Sequence, residues 1–377
     1  MIHWCGTGLS AIPGLRRLIA GGHPVTVWNR TVEKARAEVG DVARDIRAFS
    51  LPALTEALAP GDVVVSMLPA DQHPAIAAIC VDKGAHFVSS SYISPEMRAL
   101  DGPAAAAGVA LVNEVGLDPG IDHLMAHDLV ADYRRAAQPG DVLSFTSYCG
   151  GIPKIPNDFK YKFSWSPLGV LRALRSPSRS VWEGEDRDVT RPWLAVSDYT
   201  APLPVPETFE VYPNRDSIPF IEDYQFDDDW LIRSFVRGTI RLKGWKDAWT
   251  PVFAEIETLT GPEGEARMAQ MAAEFWRDNA YGPDDPDRVV LVVALKAEGE
   301  KGVRWHKEWV LDAHGDARGT AMARLVSIPV ALAVEAVLGD RFEPGVHAAP
   351  ADPALLRDWM AEIATQAQHL QKVDHCA

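Results

Sequence analysis

Side chains able to transfer protons lie together in one run of the sequence, NEVGLDPGIDHLMA (Asn113–Ala126). The run has neither the period of a simple helix nor the alternation of a strand, so it predicts a shaped loop leading into a helix. Asp118 and His123 are its candidates for a general acid or base. Two other interpretations stay open: Asp118 orders the turn that Asp118-Pro119-Gly120 predicts, and His123 lies in the core. Neither residue is an obvious sole acid or base.

A second stretch of the sequence could bind a dinucleotide. The apolar run Ile2–Cys5 leads directly into Gly6-Thr7-Gly8-Leu9-Ser10-Ala11, a GxGxxA fingerprint between a predicted strand and a predicted helix. The first glycine permits a tight turn, the second lets the backbone approach a pyrophosphate, and the small alanine lets the helix pack closely on the strand. The alternative is that these are ordinary turn glycines. The residues predicted to contact the phosphates are Gly6, Gly8, Leu9, Ser10, Ala11 and Ile12.

The end of the second predicted strand indicates which dinucleotide is preferred. Domains that prefer NAD usually carry an Asp or Glu there, which binds the ribose 2′-hydroxyl. This chain has Asn29-Arg30-Thr31 instead. No carboxylate would repel a 2′-phosphate, Arg30 could pair with it, and Asn29 and Thr31 could donate hydrogen bonds. The sequence therefore predicts NADP(H), unless Arg30 is only a solvated loop side chain.

Short apolar strands alternate with amphipathic helices over residues 1–116. This alternation is typical of a parallel sheet covered by helices on both faces. We predict a doubly wound Rossmann domain that binds the cofactor. Its predicted strands are Ile2–Cys5, Val25–Trp28, Ile46–Phe49, Val63–Leu68, His86–Ser90 and Val109–Val115.

From Leu117 the strand-like runs are longer and fewer helices separate them, which predicts an α+β domain with a mixed or antiparallel sheet over residues 117–318. Lys296–Gly302 (KAEGEKG) predicts a hairpin turn between two of its strands. Two helices are predicted after it, Thr320–Leu338 and Pro353–Val373. We expect residues 319–377 to return and pack on the first domain.

Four separated motifs follow one another further along the chain: SYCGGIP (Ser147–Pro153), YKFSWS (Tyr161–Ser166), YPNRDS (Tyr212–Ser217) and VRGTIR (Val236–Arg241). In this order, and together with the run at Asn113–Ala126, they closely resemble the saccharopine dehydrogenase (saccharopine reductase) family of the L-glutamate-forming type. The resemblance covers nearly the whole chain. A longer helical insertion that fungal members carry after the RGT motif is reduced here to a remnant.

The resemblance implies an NADP-dependent oxidoreductase of lysine metabolism that moves a hydride between the cofactor and the C–N bond of saccharopine. It also implies a homodimer formed through the substrate domain. The residues that it assigns to the cofactor are Leu68, Pro69, Ser90, Ser91, Tyr92, Leu117, Asp118, Pro119 and Gly120. The residues that it assigns to the substrate are Tyr92, Ser166, Arg215, Gly238 and Thr239.

Ordinary structural roles remain alternatives for three of these residues. Arg215 could form a surface ion pair with Asp216 or Glu210. Ser166 could be a turn serine, and Tyr92 could be a core aromatic residue. Two other functions also remain open. One is reduction of a carboxylated imine in polyamine metabolism, such as carboxynorspermidine, and the other is an NADP-binding sensor without catalysis.

Composition limits the partners and the compartment. A net charge of −15 over 377 residues argues against general binding to nucleic acid or to an anionic membrane. The four cysteines form no CxxC pair, so neither a disulfide framework nor a zinc site is predicted. The strand predicted at the first residue argues against a signal peptide. We expect a reduced cytoplasmic protein without a metal, in which Cys149 is structural and Asp227-Asp228-Asp229 is a solvated turn.

Overall fold

The computed structural model describes residues 1–282 and 285–376. The strands in chain order are β1 (Ile2–Cys5), β2 (Val25–Asn29), β3 (Asp45–Ala48), β4 (Val63–Ser66), β5 (His86–Ser89), β6 (Ala110–Val112), β7 (Val142–Pro153), β8 (Ser178–Trp182), β9 (Glu185–Val189), β10 (Ser197–Ala201), β11 (Glu207–Pro213), β12 (Leu231–Arg241), β13 (Asp287–Gly299), β14 (Gly302–His314), β15 (Gly345–His347) and β16 (His369–Asp374).

The helices in chain order are α1 (Ile12–Ala20), α2 (Val32–Val39), α3 (Leu51–Ala57), α4 (His73–Lys83), α5 (Pro95–Arg98), α6 (Asp101–Ala107), α7 (Ile121–Arg134), α8 (Pro167–Arg175), α9 (Pro219–Asp223), α10 (Trp245–Thr258), α11 (Gly261–Asn279), α12 (Ala321–Leu338) and α13 (Pro353–Gln366).

The chain folds into two compact units. The first comprises Met1–Leu124 and Ala323–Gln366, and the second comprises Met125–Met322 and the stretch from Ala367 onward. The sequence placed the first boundary at residue 116, a few residues before this division. It also assigned the whole stretch 319–377 to the first domain, whereas the residues after Gln366 group with the second unit.

The first unit is a seven-stranded sheet in the order β15-β6-β5-β4-β1-β2-β3. Every pairing in it is parallel. Residues of β1 and β4 are buried throughout, because helices cover both faces of the sheet. The predicted doubly wound sheet is confirmed. The order of its strands changes direction between β1 and β4, and ligands of such sheets bind beyond the carboxyl ends of the strands at that point.

The returning segment packs against the helix that follows the fingerprint. The Gly14 N–H in α1 donates a hydrogen bond to Ser327 Oγ in α12 at 2.8 Å. A Cβ at Gly14 would lie 2.0 Å from Ser327 O, so only glycine permits this approach. Arg17 of α1 extends the contact through ion pairs with Glu335 at 3.2 Å and Glu362 at 2.8 Å.

Among the described residues, α12 is the helix whose length and apolar composition would suit a membrane span. Its 18-residue window has a mean hydropathy of 1.8, and 83% of that window is buried inside the protein. The apolar side chains of α12 are therefore already covered by protein.

The second unit is built on a nine-stranded sheet. Its main path is β10-β11-β12-β7-β13-β14-β16, and the hairpin β8–β9 pairs with β12. The β12–β7 pairing is parallel and the others are antiparallel, which confirms the predicted mixed sheet. The predicted hairpin turn is confirmed by the pair Gly299↔Gly302. An aromatic core with Trp245, Trp249 and Phe253 of α10 covers part of this sheet.

The end of the chain and α10 are among the elements that differ from the sequence prediction. The last helix ends at Gln366, not at Val373, and the following residues form β16, which pairs with β14 from Lys307↔Asp374 to Asp312↔His369. The pattern of HLQKVD fits a half-buried edge strand, and the unpaired edge of β14 offers it hydrogen bonds. The helix α10 was not predicted, because Pro251 lies within it and interrupts the apparent period.

Candidate active site

The loop after β1 has the shape that a dinucleotide site requires. Gly6 adopts a φ of +103°, and a Cβ there would lie 2.9 Å from Met67 O, so the turn requires glycine. Gly8 is exposed, and no atom lies within 4 Å of the position that its Cβ would occupy. A ligand can therefore approach the backbone closely at Gly8.

The N-terminus of α1 follows this loop, and within its first turn Ile12 N makes no hydrogen bond with any described residue, whereas Pro13 has no N–H and Gly14 N is bonded to Ser327 Oγ. The N-cap residue of α1, Ala11, makes no side-chain cap. Helix N-termini without a cap offer N–H groups and a positive dipole end to an anion. Leu9 is exposed, while Ser10 and Ile12 are half-buried beside it. The residues around Gly8 thus fit the pyrophosphate of a dinucleotide.

The end of β2 lies next to this loop. Asn29 Oδ1 accepts a hydrogen bond from Thr7 N at 3.3 Å, and Asn29 Nδ2 donates to Thr31 O at 2.8 Å. Asn29 therefore holds the two loops together. Arg30 is exposed and makes no hydrogen bond or ion pair with any residue that the structure describes. Its guanidinium is available to a phosphate in the position where an NAD-preferring domain would present a carboxylate.

Leu68 and Pro69 follow β4 on the other side of the switch point. A Cβ at Gly6 would lie 3.3 Å from Leu68 Cδ2, so the Leu68 side chain borders the fingerprint turn. Leu68 is half-buried and Pro69 is exposed. These residues are placed where the resemblance assigns them, beside the cofactor loop.

The loop after β5 is joined to the loop before α7 by a side-chain hydrogen bond. Tyr92 donates its hydroxyl proton to Asp118 Oδ1 at 2.8 Å. Ser91 N donates to Ser89 Oγ at 3.3 Å, which fixes the start of this loop, and Ser90 is half-buried. The structure thus brings together Tyr92 and Asp118, which the sequence analysis placed on two different loops.

A close backbone approach shapes the loop Leu117–Gly120. Gly116 N donates to Pro119 O at 2.9 Å, and a Cβ at Gly120 would lie 2.1 Å from Gly116 O. Asp122 Oδ1 accepts from Gly120 N at 2.6 Å and so ties this loop to the start of α7. Asp118 lies on this fixed loop, and its carboxylate accepts the hydrogen bond from the Tyr92 hydroxyl.

A buried acidic residue that the sequence did not single out supports both loops. Glu114 has a φ of +55° and is 6% exposed. Its Oε1 accepts a hydrogen bond from Ile93 N at 2.8 Å, and its Oε2 lies 2.9 Å from His123 Nε2. His123 Nδ1 in turn lies 3.6 Å from Asp122 Oδ2. The signal for Glu114 in the sequence was its place within NEVG, at the end of the predicted strand Val109–Val115.

His123 is only 2% exposed and lies between two buried carboxylates. A general acid or base must come within hydrogen-bonding reach of the substrate. Asp118, whose partner Tyr92 is half-buried, satisfies this requirement better than His123. The geometry therefore favours Asp118 for proton transfer and a supporting role for His123.

In the second unit, Arg215 lies on the turn after β11. Its φ is +54° and its side chain is exposed. The backbone of the turn is fixed by two hydrogen bonds, from Arg179 N to Arg215 O and from Ser217 N to Arg179 O, each at 2.8 Å. A fixed turn that presents an arginine suits the capture of a carboxylate.

The neighbouring strand β12 carries Gly238 and Thr239. Thr239 Oγ1 accepts a hydrogen bond from Asn214 Nδ2 at 2.7 Å, which ties the arginine turn to β12. A Cβ at Gly238 would lie 2.3 Å from Tyr212 O, so glycine is required by the packing of β12 against β11. The structure thus joins Thr239 and Gly238 to the arginine turn.

Ser166 lies on a separate element, at the N-cap of α8. Its Oγ accepts a hydrogen bond from Gly169 N at 3.2 Å, and the residue is exposed. The hydroxyl proton is not used by this cap, so Ser166 can still donate to a ligand. The role of Ser166 as a helix cap was not predicted.

Arg241 is a further residue that the sequence did not single out. It is 5% exposed and stacks over the rings of Tyr161 at 4.8 Å, Tyr212 at 5.4 Å and Trp245 at 5.4 Å. Cation–π contacts of this kind stabilise a buried guanidinium. Arg241 thereby connects the motifs YKFSWS, YPNRDS and VRGTIR within one core.

A Rossmann unit with an NADP-type loop, followed by a mixed-sheet unit with an arginine turn, defines a two-domain dinucleotide-binding protein. Residues 4–112 match the family model of the saccharopine dehydrogenase NADP binding domain, and residues 116–367 match that of the saccharopine dehydrogenase C-terminal domain. The chain belongs to the saccharopine dehydrogenase family. The predicted resemblance and the predicted NADP cofactor are confirmed.

Curated relatives and a solved structure agree with this family. Saccharopine dehydrogenase [NADP(+), L-glutamate-forming] of Pyricularia oryzae is 37% identical over 266 residues, and that of Saccharomyces cerevisiae is 36% identical over 249 residues. These alignments cover 68% and 64% of this chain but only 58% and 55% of the relatives. The apo structure of the Saccharomyces cerevisiae L-Glu-forming enzyme superposes with a TM-score of 0.84 at 26% identity and covers 99% of both chains.

We predict that Arg30→Ala raises the Michaelis constant for NADP(H) at least 10-fold and leaves that for NAD(H) within about 2-fold, since a lost charged contact costs more than about 1.5 kcal/mol. Steady-state kinetics with both cofactors measures this. Arg44→Ala, which removes another exposed arginine of the same unit, is the control and should change neither constant. Equal effects of Arg30→Ala on both cofactors would refute the assignment.

Proposed function

We propose that the chain is an NADP(H)-dependent saccharopine dehydrogenase that acts on the C–N bond of this glutamate-linked secondary amine. The observation that carries the proposal is the Asn214–Thr239 hydrogen bond of 2.7 Å, because it ties the Arg215 turn to the RGT motif. A chain that only sensed the cofactor would need no such substrate-side arrangement. Membership of the family, with both of its domain models matched, supports the same activity.

The reaction sets three tasks for the chain. NADP(H), when bound, accepts or supplies the hydride. In the oxidative direction the substrate carbon loses a hydride and the secondary nitrogen loses a proton, which gives an imine. Water then adds to the imine, and cleavage of the C–N bond releases glutamate and aminoadipate semialdehyde. The chain must clamp the carboxylates, orient the amine and take up the proton.

Each task has a candidate residue. Arg215 offers a planar fork to one carboxylate, and Ser166 and Thr239 offer hydroxyl groups to others. Asp118 accepts the amine proton, while the Tyr92 hydroxyl, 2.8 Å from Asp118 Oδ1, orients the carboxylate. Arg215 at the substrate and Arg30 at the cofactor also supply positive charge where anions are proposed to bind, against the chain's net charge of −15.

A polyamine-pathway activity on a carboxylated imine is the alternative. The combination of YCGGIP, YKFSWS, YPNRDS and RGT favours saccharopine over that substrate. The two fungal relatives named above carry the saccharopine activity in their names. No residue of the described structure specifically favours a polyamine.

Incubating the protein with saccharopine and NADP⁺ should produce reduced cofactor, measured by its absorbance. Turnover with carboxypolyamines alone would support the alternative activity, and cofactor binding without turnover would support a sensor.

Arg215→Ala should raise the Michaelis constant for saccharopine about 100-fold, since a charged hydrogen bond is worth about 1.5–3 kcal/mol, and should leave the Michaelis constant for NADP⁺ unchanged. The control Arg187→Ala removes an exposed arginine of the same unit. A comparable loss for both ligands in Arg215→Ala would indicate a folding role.

Asp118→Asn should lower kcat at least about 100-fold and remove one limb of its pH profile, because proton transfer by a placed side chain contributes about 10²–10⁴-fold. His123→Ala should instead reduce the free energy of unfolding by about 3 kcal/mol, because it leaves a buried carboxylate without its partner. Kinetics and chemical denaturation distinguish the two variants. Asp82→Asn, at an exposed position of α4, is the control. Full activity of Asp118→Asn would contradict the proposed role.

We also propose that the protein acts in the cytoplasm as a homodimer formed through the second unit. The cysteines are free, and three of the four are buried. Leu194 and Val205 of the second unit are 66% and 79% exposed, which suits an interface. Light scattering after size exclusion should give twice the mass of the chain, and a monomer would reject the dimer. Leu194→Glu should weaken the dimer, whereas Val42→Glu in the first unit should not.

A further inference from the structure

Three possible metal ligands meet at the edge of the second sheet formed by β14 and β16. His306 and Glu308 are separated by one residue on β14, so their side chains lie on the same face of the strand. The strand β16 pairs antiparallel with β14, and His375 follows β16 directly. His375 N donates a hydrogen bond to His306 O at 2.9 Å, which places these two histidines opposite each other.

The ligand atoms of these three residues are close together. One such atom from each of His306, Glu308 and His375 lies within 4.8 Å of the other two. His375 Nε2 is 3.1 Å from Glu308 Oε2. The Glu308 side chain is 4% exposed and that of His375 is 31% exposed. The buried Glu308 carboxylate can hold an ion in place. The partly exposed His375 gives the ion access from solvent.

A tyrosine of β10, the strand at the other end of the sheet order, supports the carboxylate. The Tyr199 hydroxyl of β10 donates a hydrogen bond to Glu308 Oε1. This leaves Oε2 directed at His375. Metal-binding carboxylates commonly have such an outer partner, which fixes their orientation.

The charges around the cluster are compatible with a bound cation. Lys296 lies opposite His306 on β13, but its ammonium is paired with Glu298 at 2.7 Å. The Glu308 carboxylate supplies the anionic ligand, whose charge a divalent cation would offset.

We propose that His306, Glu308 and His375 bind one divalent transition-metal ion and thereby tie β16 to β14. Two imidazoles and one carboxylate form a ligand set suited to zinc, with water as a fourth ligand. The two rings are stacked with centroids 4.2 Å apart and planes 19° from parallel. Nearly parallel rings cannot both direct a nitrogen at one ion, so the partly exposed His375 ring turns out of the stack when the ion binds.

Calorimetric titration of the chelator-treated full chain with zinc chloride tests the site. The Cys376→Ser background is used throughout, because Cys376 is an exposed thiol beside His375 and thiols bind zinc themselves. We expect one zinc per chain and a higher melting temperature with zinc, since a ligand of the folded state stabilises it. His375→Ala and His306→Ala should each weaken zinc binding at least 100-fold without changing oxidoreductase turnover.

Two further variants distinguish this site from general surface binding. His369→Ala removes a histidine at the other end of β16 and should leave zinc affinity unchanged. Tyr199→Phe should weaken zinc binding about 10-fold, as expected when the outer partner of a ligand is lost. No zinc binding by the Cys376→Ser protein would overturn the proposal. So would binding that His375→Ala leaves intact, or binding that His369→Ala weakens equally.

Discussion

The Glu114 carboxylate holds together the part of the first unit on which the proposed chemistry depends. It is buried on a left-handed backbone, accepts a hydrogen bond from Ile93 N at 2.8 Å and lies 2.9 Å from His123 Nε2. These contacts connect the loops after β5 and β6 to the start of α7. A buried carboxylate needs such partners, because an uncompensated charge in the interior is very unfavourable. The Tyr92–Asp118 pair is positioned by the loops that Glu114 connects.

Under the proposed function, the second unit must attract an anionic substrate to a chain with a net charge of −15. Its exposed Arg215 lies on a turn whose backbone is fixed by hydrogen bonds. The buried Arg241 stacks against the aromatic rings of Tyr161, Tyr212 and Trp245. A cation that is held in place by the backbone around it loses little freedom when it binds a carboxylate. Local order, and not total charge, thus determines where anionic ligands bind.

The sequence predicted much of this protein because strong local signals coincide with the architecture. The Gly6 turn, the Asn29–Thr31 loop and the parallel sheet follow from apolar periods and from the φ freedom of glycine. Glu114 and Arg241 were missed, because their importance comes from contacts with residues distant in the chain. The strand β16 was taken for helix, since the edge of β14 that it pairs with is not visible in local sequence. Ser166 was assigned by resemblance, and its role as a helix cap depends on the backbone of α8.

The most direct test of the proposed function follows the hydride itself. The protein is incubated with glutamate, aminoadipate semialdehyde and NADPH that carries deuterium at the transferable position, and the products are analysed by mass spectrometry. The proposed function predicts saccharopine with one deuterium on the carbon that the semialdehyde contributes to the C–N bond, and loss of this product in the Asp118→Asn variant. Oxidation of the labelled cofactor without deuterated saccharopine would contradict it.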